Sequence, residues 1–278
     1  MIIWIASYPK SGNTYIRSFI ASYFFSKNGL FGFDDLLNVQ QFPNMKFSKI
    51  KNETKKEASK SWIYNQNIYF DKAKLTFLKT HNCLLEYDGN KFTTNNETLG
   101  GIYIVRDPRN IITSLTHHYS FNYSDALYYM RDEKSVLMDK SHENDHSNFT
   151  YLSSWSKHYR SWIENNDFKI LFIKYEDLEK NKIDVFTKII NFINELMNDD
   201  SPINEKKLLN CIKSTNFNNL KNKELNEGFA ESVYSKTTGK RINFFNLGFN
   251  NRWQKILPVD IKNKLNIYFE KDLKFLKY

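Results

Sequence analysis

The stretch IIWIASYPKSGNTYIRSFIASYF, residues 2–24, begins with the pattern of a β-strand and ends with that of an α-helix. Residues 2–6 form an apolar run, and after a short loop the apolar residues follow helical spacing at Ile16, Phe19, Ile20, Tyr23 and Phe24. The first turn of a helix has unpaired N–H groups and the positive end of the helix dipole. The junction is therefore a predicted anion-binding site.

The loop inside this stretch contains a lysine on an unusual side of its glycine. In the triphosphate-binding loops GxxxxGKS and GxxxxGKT the lysine follows the last glycine. Here Lys10 precedes Gly12. The loop is thus P-loop-like, and the order of these two residues leaves open which phosphate-like group needs a lysine there.

Strand-like and helical patterns alternate along the rest of the chain. Apolar strand patterns recur at residues 2–7, 75–80, 102–106 and 169–174, and helical patterns follow Asp107-Pro108, Ser201-Pro202 and Pro258. This alternation predicts one α/β domain over residues 1–278, with a parallel β-sheet flanked by helices. Ligands of such sheets bind beyond the carboxyl ends of the strands.

Two long segments interrupt the alternation, at about residues 30–71 and 121–149. Both are polar with scattered aromatic residues, and neither has an obvious strand pattern. Loops of this length inside a domain are usually functional or mobile. We therefore expect both segments to be covers of the ligand site, on the side where an acceptor substrate would bind.

The composition favours an anionic ligand over other partners. The 278 residues include 40 Lys and Arg against 31 Asp and Glu, a net charge of +9, and a basic surface attracts anions. The whole chain is rich in Lys, Asn, Ile and Phe, so we interpret the positive charge as a general bias in the composition of the chain. No nucleic-acid partner is predicted. The oligomeric state stays open.

The cysteines and the hydropathy indicate a cytoplasmic protein. Cys83 and Cys211 fit no metal-binding spacing and read as reduced thiols. We also expect no signal peptide before the first strand. No apolar run reaches the roughly 20 residues that cross a bilayer, so no integral membrane segment is expected.

The segment HENDH, residues 142–146, matches the zinc signature HExxH. A zinc site of this type needs a well-supported helix with buried apolar faces, and here nearly all neighbouring residues are polar. We interpret the segment as a solvated loop and predict no metal.

A second strand-to-helix junction, GGIYIVRDPRNIITSLTHHY, covers residues 100–119. It places Arg106 at the carboxyl end of a strand and Ser114 on the following helix. A lysine at one junction and an arginine at another would hold two separate anionic groups. A nucleotide phosphorylated at both ends of its ribose has that shape.

Together, YPKSGNTY and IVRDPRNIITS strongly resemble the phosphosulfate-binding loop and the 3′-phosphate loop of cytosolic-type sulfotransferases. That family uses 3′-phosphoadenosine 5′-phosphosulfate (PAPS) as its cofactor. The resemblance implies in-line transfer of a sulfuryl group to a hydroxyl or amine of a small-molecule or glycan acceptor. Its product would be adenosine 3′,5′-bisphosphate (PAP).

The resemblance also implies a role for each matching residue. Lys10 would touch the oxygen that bridges phosphate and sulfate, neutralising charge as the S–O bond breaks; this answers why the lysine precedes the glycine. Arg106 and Ser114 would hold the 3′-phosphate. Backbone N–H groups would cradle the 5′-phosphate at Ser11, Gly12, Asn13 and Thr14, and adenine would be contacted by Tyr15, Tyr175, Thr215 and Phe217.

The catalytic base is predicted in FLKTH, residues 77–81. By the same resemblance His81 would take the proton of the acceptor, a task that suits a side chain whose ordinary pKa is near neutrality. Lys79 would help to stabilise the transferring sulfuryl group. Lysines can neutralise this group, so no Mg²⁺ is expected.

The chain departs from the family pattern at FFNLGFNNRW, residues 244–253. Asn246 and Leu247 stand where the family commonly has Arg-Lys, which removes two cations from the 3′-phosphate site. We predict that Arg252, in preference to Arg241, supplies the missing charge. Backbone N–H groups near Gly248 would complete the site.

Two other functions stay open from sequence. A P-loop-like small-molecule or nucleotide kinase would use a similar sheet, but no GKS or GKT segment supplies its Mg²⁺ ligand. A basic RNA-binding protein would use the many aromatic residues, but no ribonucleoprotein-type signature is present.

Overall fold

The computed structural model of this chain describes residues 1–138, 144–235 and 238–278. Its strands are β1 (Ile2–Ser7), β2 (Val39–Gln41), β3 (Thr76–Thr80), β4 (Thr98–Val105), β5 (Val136–Leu137), β6 (Thr150–Tyr151), β7 (Lys169–Lys174), β8 (Val233–Tyr234) and β9 (Arg241–Ile242). Its helices are α1 (Asn13–Phe25), α2 (Lys55–Tyr69), α3 (Pro108–Tyr119), α4 (Tyr123–Arg131), α5 (Trp155–Ile163), α6 (Tyr175–Lys180), α7 (Lys182–Met197), α8 (Glu205–Ser214), α9 (Phe217–Glu227), α10 (Trp253–Ile256), α11 (Val259–Tyr268) and α12 (Glu270–Leu276).

The central sheet has the strand order β2-β3-β1-β4-β7, and every neighbouring pair is parallel. Ile5 pairs with Lys79 on one side and with Ile102 on the other. The carboxyl ends of these five strands therefore all lie at one edge of the sheet. The predicted α/β fold with a flanked parallel sheet is confirmed.

Both faces of the sheet are buried, as the strand pattern predicts. Alternate residues of β1 belong to two different apolar clusters, with Trp4 in one and Ile5 in the other. Helices α3, α5 and α11 contribute to the first cluster, and α1, α7 and α8 to the second. The strands are thus held between two helical layers, which fixes the positions of the loops at their carboxyl ends.

The two cover segments contain more regular structure than the sequence indicates. Residues 30–71 include helix α2 and also β2, which pairs with β3 at the edge of the sheet. The expectation of no sheet element there is wrong, because a three-residue edge strand is too short to show an alternating pattern. Residues 121–149 include α4 and β5.

Two helix boundaries also differ from prediction. The helix expected from Ser201-Pro202 begins at Glu205, because the Asn204 side chain accepts a hydrogen bond from the Lys207 amide and caps it. The terminal helical pattern is divided into α11 and α12 at Phe269.

Two antiparallel ribbons, β5–β6 and β8–β9, lie outside the central sheet. In the parts of the chain that are described, no helix has the length and apolar character needed to cross a membrane. Both cysteines are buried and free.

Candidate active site

A cavity of about 790 Å³ lies beyond the carboxyl ends of the central strands. Both predicted loops contribute to its wall. The predicted site residues that line it are Lys10, Gly12, Asn13, Thr14, Tyr15, Lys79, His81, Arg106, Ser114, Tyr175, Phe217 and Gly248. Residues separated by more than two hundred positions in sequence therefore meet at one site.

The first loop is held by its backbone conformation and by one side chain. Gly12 has φ 97°, and a Cβ atom there would lie 2.3 Å from the Tyr175 ring, so only glycine fits. Lys10 also has a positive φ of 66°. The amide nitrogen of the Asn13 side chain donates to the carbonyl oxygen of Ile5 at 2.9 Å, which ties the start of α1 to β1.

Helix α1 presents its N-terminus to the cavity. Its N-cap residue, Gly12, makes no side-chain capping bond. The first N–H groups of a helix have no partner inside the helix. The Ser11 hydroxyl beside them is buried without a hydrogen-bond partner among the described residues, whereas the Ser11 amide donates to the Tyr8 carbonyl at 3.3 Å.

Lys10 is buried beside an aromatic ring. Its ammonium lies 4.0 Å from the centre of the Phe244 ring. Burial, opposed by Glu231 and reinforced by the charges of Lys79 and Arg106, lowers the pKa of Lys10 to about 7. Lys10 therefore changes charge near neutral pH in the free protein.

His81 has a defined tautomer. Its Nδ1 atom lies 2.6 Å from the carbonyl oxygen of Ser7, and a carbonyl oxygen only accepts hydrogen bonds, so Nδ1 carries the proton. The lone pair is then on Nε2. Burial, followed by the charge of Lys79, lowers the pKa of His81 to about 3. The imidazole is neutral at pH 7 with its lone pair at Nε2, but in the free protein it is a weaker base than the ordinary near-neutral pKa of histidine, on which the prediction relied, would give.

The backbone of His81 is fixed by a second histidine. The Nε2 atom of His158 lies 2.9 Å from the carbonyl oxygen of His81, and its Nδ1 atom lies 2.8 Å from the Tyr103 hydroxyl. Tyr103 lies on β4 and His158 on α5, and His81 directly follows β3. The position of the His81 ring is therefore set by the sheet and by α5.

Arg106 connects the two loops. Its guanidinium donates to the carbonyl oxygen of Lys10 at 3.0 Å and lies 4.2 Å from the centre of the Tyr175 ring. Its Nε atom is buried and has no partner in the described structure. A further acceptor, such as a phosphate oxygen, would satisfy this donor.

Aromatic rings line the cavity next to the first loop. Tyr175 and Phe249 have ring centres 5.3 Å apart, and Tyr15 meets Phe249 edge-on at 6.4 Å. Gly248 has φ 55°, and a Cβ atom there would lie 2.6 Å from the Phe217 ring. These rings give the cavity a surface suited to a flat heterocycle.

Three predicted binding residues do not line the cavity. Thr215 is fully buried, and its hydroxyl donates to the Cys211 carbonyl at 2.8 Å. Ser11 is buried and is not part of the cavity wall. Arg252 is 54% exposed and pairs with Glu179, so the prediction that it closes over a 3′-phosphate does not match its position.

The alternative cation, Arg241, does not line the cavity either. Its guanidinium donates to the Phe229 carbonyl at 2.8 Å and to the Ser232 hydroxyl at 3.1 Å. Lys221 approaches the changed segment instead, donating to the carbonyl oxygen of Asn246 at 3.1 Å.

The sequence gives no signal for Glu231, which lies in the cavity between α9 and β8. Its carboxylate is 2.6 Å from the Arg17 guanidinium and 3.0 Å from the Lys79 ammonium. Burial alone would raise the pKa of Glu231, but Lys79 and Arg17 hold it at about 2. No motif surrounds it, because its partners are distant in sequence.

The rest of the cavity wall is mixed in character. His118 is buried there as a neutral imidazole, because burial and Lys10 lower its pKa to about 3. Both cover segments and the β8–β9 region contribute apolar side chains, namely Pro43, Met45, Leu137, Met138, Val233 and Phe244.

Within residues 1–138, 144–235 and 238–278, no group of three or more His, Cys, Asp or Glu side chains is placed to hold a metal ion. His142 and Glu143 of the HENDH segment lie outside the described residues. The amide of His146 donates to the Asn52 carbonyl at 2.8 Å.

The chain matches one protein-family model over nearly its whole length and known proteins over part of it. The family model described as "Sulfotransferase domain" matches residues 2–277. An amine sulfotransferase of Oryctolagus cuniculus is 24% identical over 62% of this chain and 54% of its own length. A luciferin sulfotransferase of Photinus pyralis is 25% identical over 79% of this chain and 56% of its own length. The chain thus spans little more than half the length of these relatives.

Solved structures share the fold. Retinol dehydratase in complex with androsterone and the inactive cofactor PAP has a TM-score of 0.64, with 17% identity over 98% of this chain and 80% of that chain. A mouse sulfotransferase complexed with PAP has a TM-score of 0.54, also with 17% identity, over 98% of this chain and 84% of that chain.

Proposed function

This chain belongs to the sulfotransferase domain family, and from that premise we propose that it transfers the sulfuryl group of PAPS to a hydroxyl or amine of a small-molecule or glycan acceptor. One observation carries the proposal. A single cavity joins a neutral histidine with a free Nε2 lone pair, His81, to Lys10 of the first loop and Arg106 of the second.

The residues of the cavity fit PAPS. The Tyr15 hydroxyl and the Arg106 Nε atom belong to residues that line the cavity, and both are buried polar groups without partners among the described residues. At Gly12 the Tyr175 ring packs directly against the loop, where a Cβ atom would clash with it, and the first N–H groups of α1 have no side-chain cap. Donors of this kind at a helix N-terminus suit phosphate oxygens.

Particular residues would hold each part of the donor. The amides of Gly12, Asn13 and Thr14 would bind the 5′-phosphate, and Arg106 with Ser114 the 3′-phosphate. The aromatic wall formed by Tyr15, Tyr175 and Phe217 would contact adenine. Thr215 and Arg252 have no direct part in this arrangement. Structural neighbours carry PAP, which supports the same donor here.

The donor supplies an activated sulfuryl group: a bond forms from the acceptor oxygen or nitrogen to sulfur as the bond between sulfur and the phosphate oxygen breaks, releasing PAP. His81 would take the acceptor proton at Nε2. Lys79 and Lys10 would neutralise charge on the sulfuryl and leaving oxygens. Residues of both cover segments and of the β8–β9 region would enclose the acceptor in a partly apolar space.

Calorimetry with PAP and with Mg-ATP tests the proposed donor. PAP should bind and raise the melting temperature of the protein, because a ligand of the native state stabilises it by RT ln(1 + [L]/Kd). Mg-ATP should produce no comparable shift. Equal shifts from both nucleotides would favour the kinase alternative, and no shift from PAP would refute the proposed donor.

A further inference from the structure

Glu231 contacts Lys79 and Thr14, two residues that the proposed function places at the anionic end of the donor. Besides Lys79 and Arg17, its carboxylate accepts a hydrogen bond from the Thr14 hydroxyl at 3.2 Å. Thr14 lies in the first turn of α1, whose N-terminus faces the cavity, and Lys79 lies two residues before His81. The three donors converge on one carboxylate from two elements, α1 for Thr14 and Arg17 and β3 for Lys79.

This carboxylate is charged throughout the physiological range. Its pKa of about 2 is set by Lys79 and Arg17 against the effect of burial. The Glu231 side chain is 25% exposed and lines the cavity. An anion is therefore present in the site before any ligand enters.

Two backbone carbonyl oxygens orient the Arg17 guanidinium towards Glu231. Its Nε atom donates to the Val39 carbonyl at 2.6 Å, and one terminal nitrogen donates to the Leu36 carbonyl at 3.0 Å. The other terminal nitrogen reaches Glu231 at 2.6 Å. Because the guanidinium is a rigid planar fork, two anchored nitrogens fix the direction of the third.

A second oxyanion cannot share these donors with Glu231. Like charges a few ångströms apart repel strongly in a partly buried site. The proposed function places the sulfuryl group and the 5′-phosphate beside Lys79 and Thr14. The ligand and the Glu231 carboxylate would then require the same N–H and O–H groups.

We propose that Arg17, Lys79 and the Thr14 hydroxyl form an oxyanion subsite that takes the sulfuryl end of the donor, and that Glu231 fills this subsite in the free protein until the donor displaces it. The assignment rests on the proposed function for the identity of the oxyanion. It adds Arg17 to the donor site and makes Glu231 an internal competitor.

The displacement needs only a local movement. Glu224 holds the chain on either side of the β8–β9 ribbon, accepting from the Ser232 hydroxyl at 2.5 Å and from the Phe244 and Phe245 amides at 2.6 and 2.9 Å. Glu231 precedes this anchored ribbon. Rotation of its side chain frees the subsite while the ribbon stays in place.

Calorimetric titration with inorganic sulfate and with PAPS, in the absence of acceptor, tests the proposal. Glu231→Gln should bind both ligands at least about tenfold more tightly than the unchanged protein, because it removes a competing charge and leaves the three donors. Glu227→Gln is the matched control, since Glu227 is an exposed partner of Lys223 and its removal changes the net charge equally. We expect the control to bind as the unchanged protein does.

The outcomes separate this inference from the proposed function. Tighter sulfate binding in Glu231→Gln without PAPS binding in any variant would support the subsite and refute the donor. PAPS binding that is unchanged or weaker in Glu231→Gln, with unchanged sulfate binding, would overturn the internal competitor while leaving the donor intact. If Glu231→Gln does not fold, Glu231→Asp, which withdraws the carboxylate by one methylene, should show a smaller gain in the same direction; no gain would overturn the proposal.

Discussion

The Nδ1 atom of His81 donates a hydrogen bond to the carbonyl oxygen of Ser7 at 2.6 Å. Ser7 ends β1 and His81 directly follows β3, so two adjacent parallel strands fix one tautomer. The free lone pair at Nε2 is the feature that the proposed proton transfer requires.

Replacing this base should affect turnover and not donor binding. We expect His81→Ala to lower the transfer rate by about 10² to 10⁴-fold, the usual contribution of a general base, while the Kd of PAP changes less than about twofold. His117→Ala is a suitable control, because His117 contacts the Asn243 carbonyl and does not line the cavity. Near-normal turnover in His81→Ala would require another base.

Donor affinity should depend on pH through Lys10. Its pKa of about 7 in the free protein means that Lys10 is charged below pH 7 and neutral above it. Binding of an anion favours the charged form, so affinity for PAP should fall by up to about tenfold per pH unit above pH 7 as a proton must be taken up.

Burial is the main cause of this low pKa, and the charged groups that modify it are Glu231, Lys79, Arg106 and Glu224. Lys10→Arg keeps the cation at all relevant pH values, so its calorimetric profile should be flatter above pH 7. If the affinity for PAP falls equally with pH in the unchanged protein and in Lys10→Arg, Lys10 does not titrate in this range.

The 3′-phosphate should be recognised by Arg106 rather than by Arg252. We expect Arg106→Ala to weaken PAP binding by about 1.5 to 3 kcal/mol, the scale of a hydrogen bond to a charged group, with a much smaller loss for adenosine 5′-monophosphate. Arg252→Ala should change neither affinity by more than about twofold, because an exposed ion pair contributes little. A loss specific to PAP in Arg252→Ala would show that Arg252 leaves Glu179 and closes over the ligand.

Gly12 should be intolerant of a side chain. Alanine there must adopt φ 97° and place its Cβ 2.3 Å from the Tyr175 ring, so we expect Gly12→Ala to lower stability and weaken PAP binding. Gly89→Ala is the control, because Gly89 has φ 75° with nothing within 4 Å of the added Cβ. Thermal unfolding should show a larger loss for Gly12→Ala than the roughly 1 to 2 kcal/mol of a left-handed backbone; equal losses would refute the steric argument.

The sequence predicted the parts of the molecule that depend on local pattern. The central strands and the anion-binding junction at Lys10 and Gly12 follow from apolar spacing and glycine placement within a few residues. The position of His81 follows equally, since a residue just after a parallel strand must lie at the carboxyl edge of the sheet.

Contacts between distant residues were not predictable in this way. Glu231 and Lys79 are separated by 152 positions and meet through a segment with no motif. The pairing of Arg252 with Glu179 likewise depends on the path of the chain after α9. Strand β2 was missed because its three residues carry too little pattern.

The central claim is that this chain transfers a sulfuryl group from PAPS, and the most direct measurement is incubation of the protein with radiolabelled PAPS and fractionated metabolite pools. We predict that label passes to at least one acceptor, that PAP forms in equal amount, and that His81→Ala lowers the rate of transfer by at least about 10²-fold. Binding of PAPS with no label transferred from any pool, or equal transfer by His81→Ala, would contradict the account.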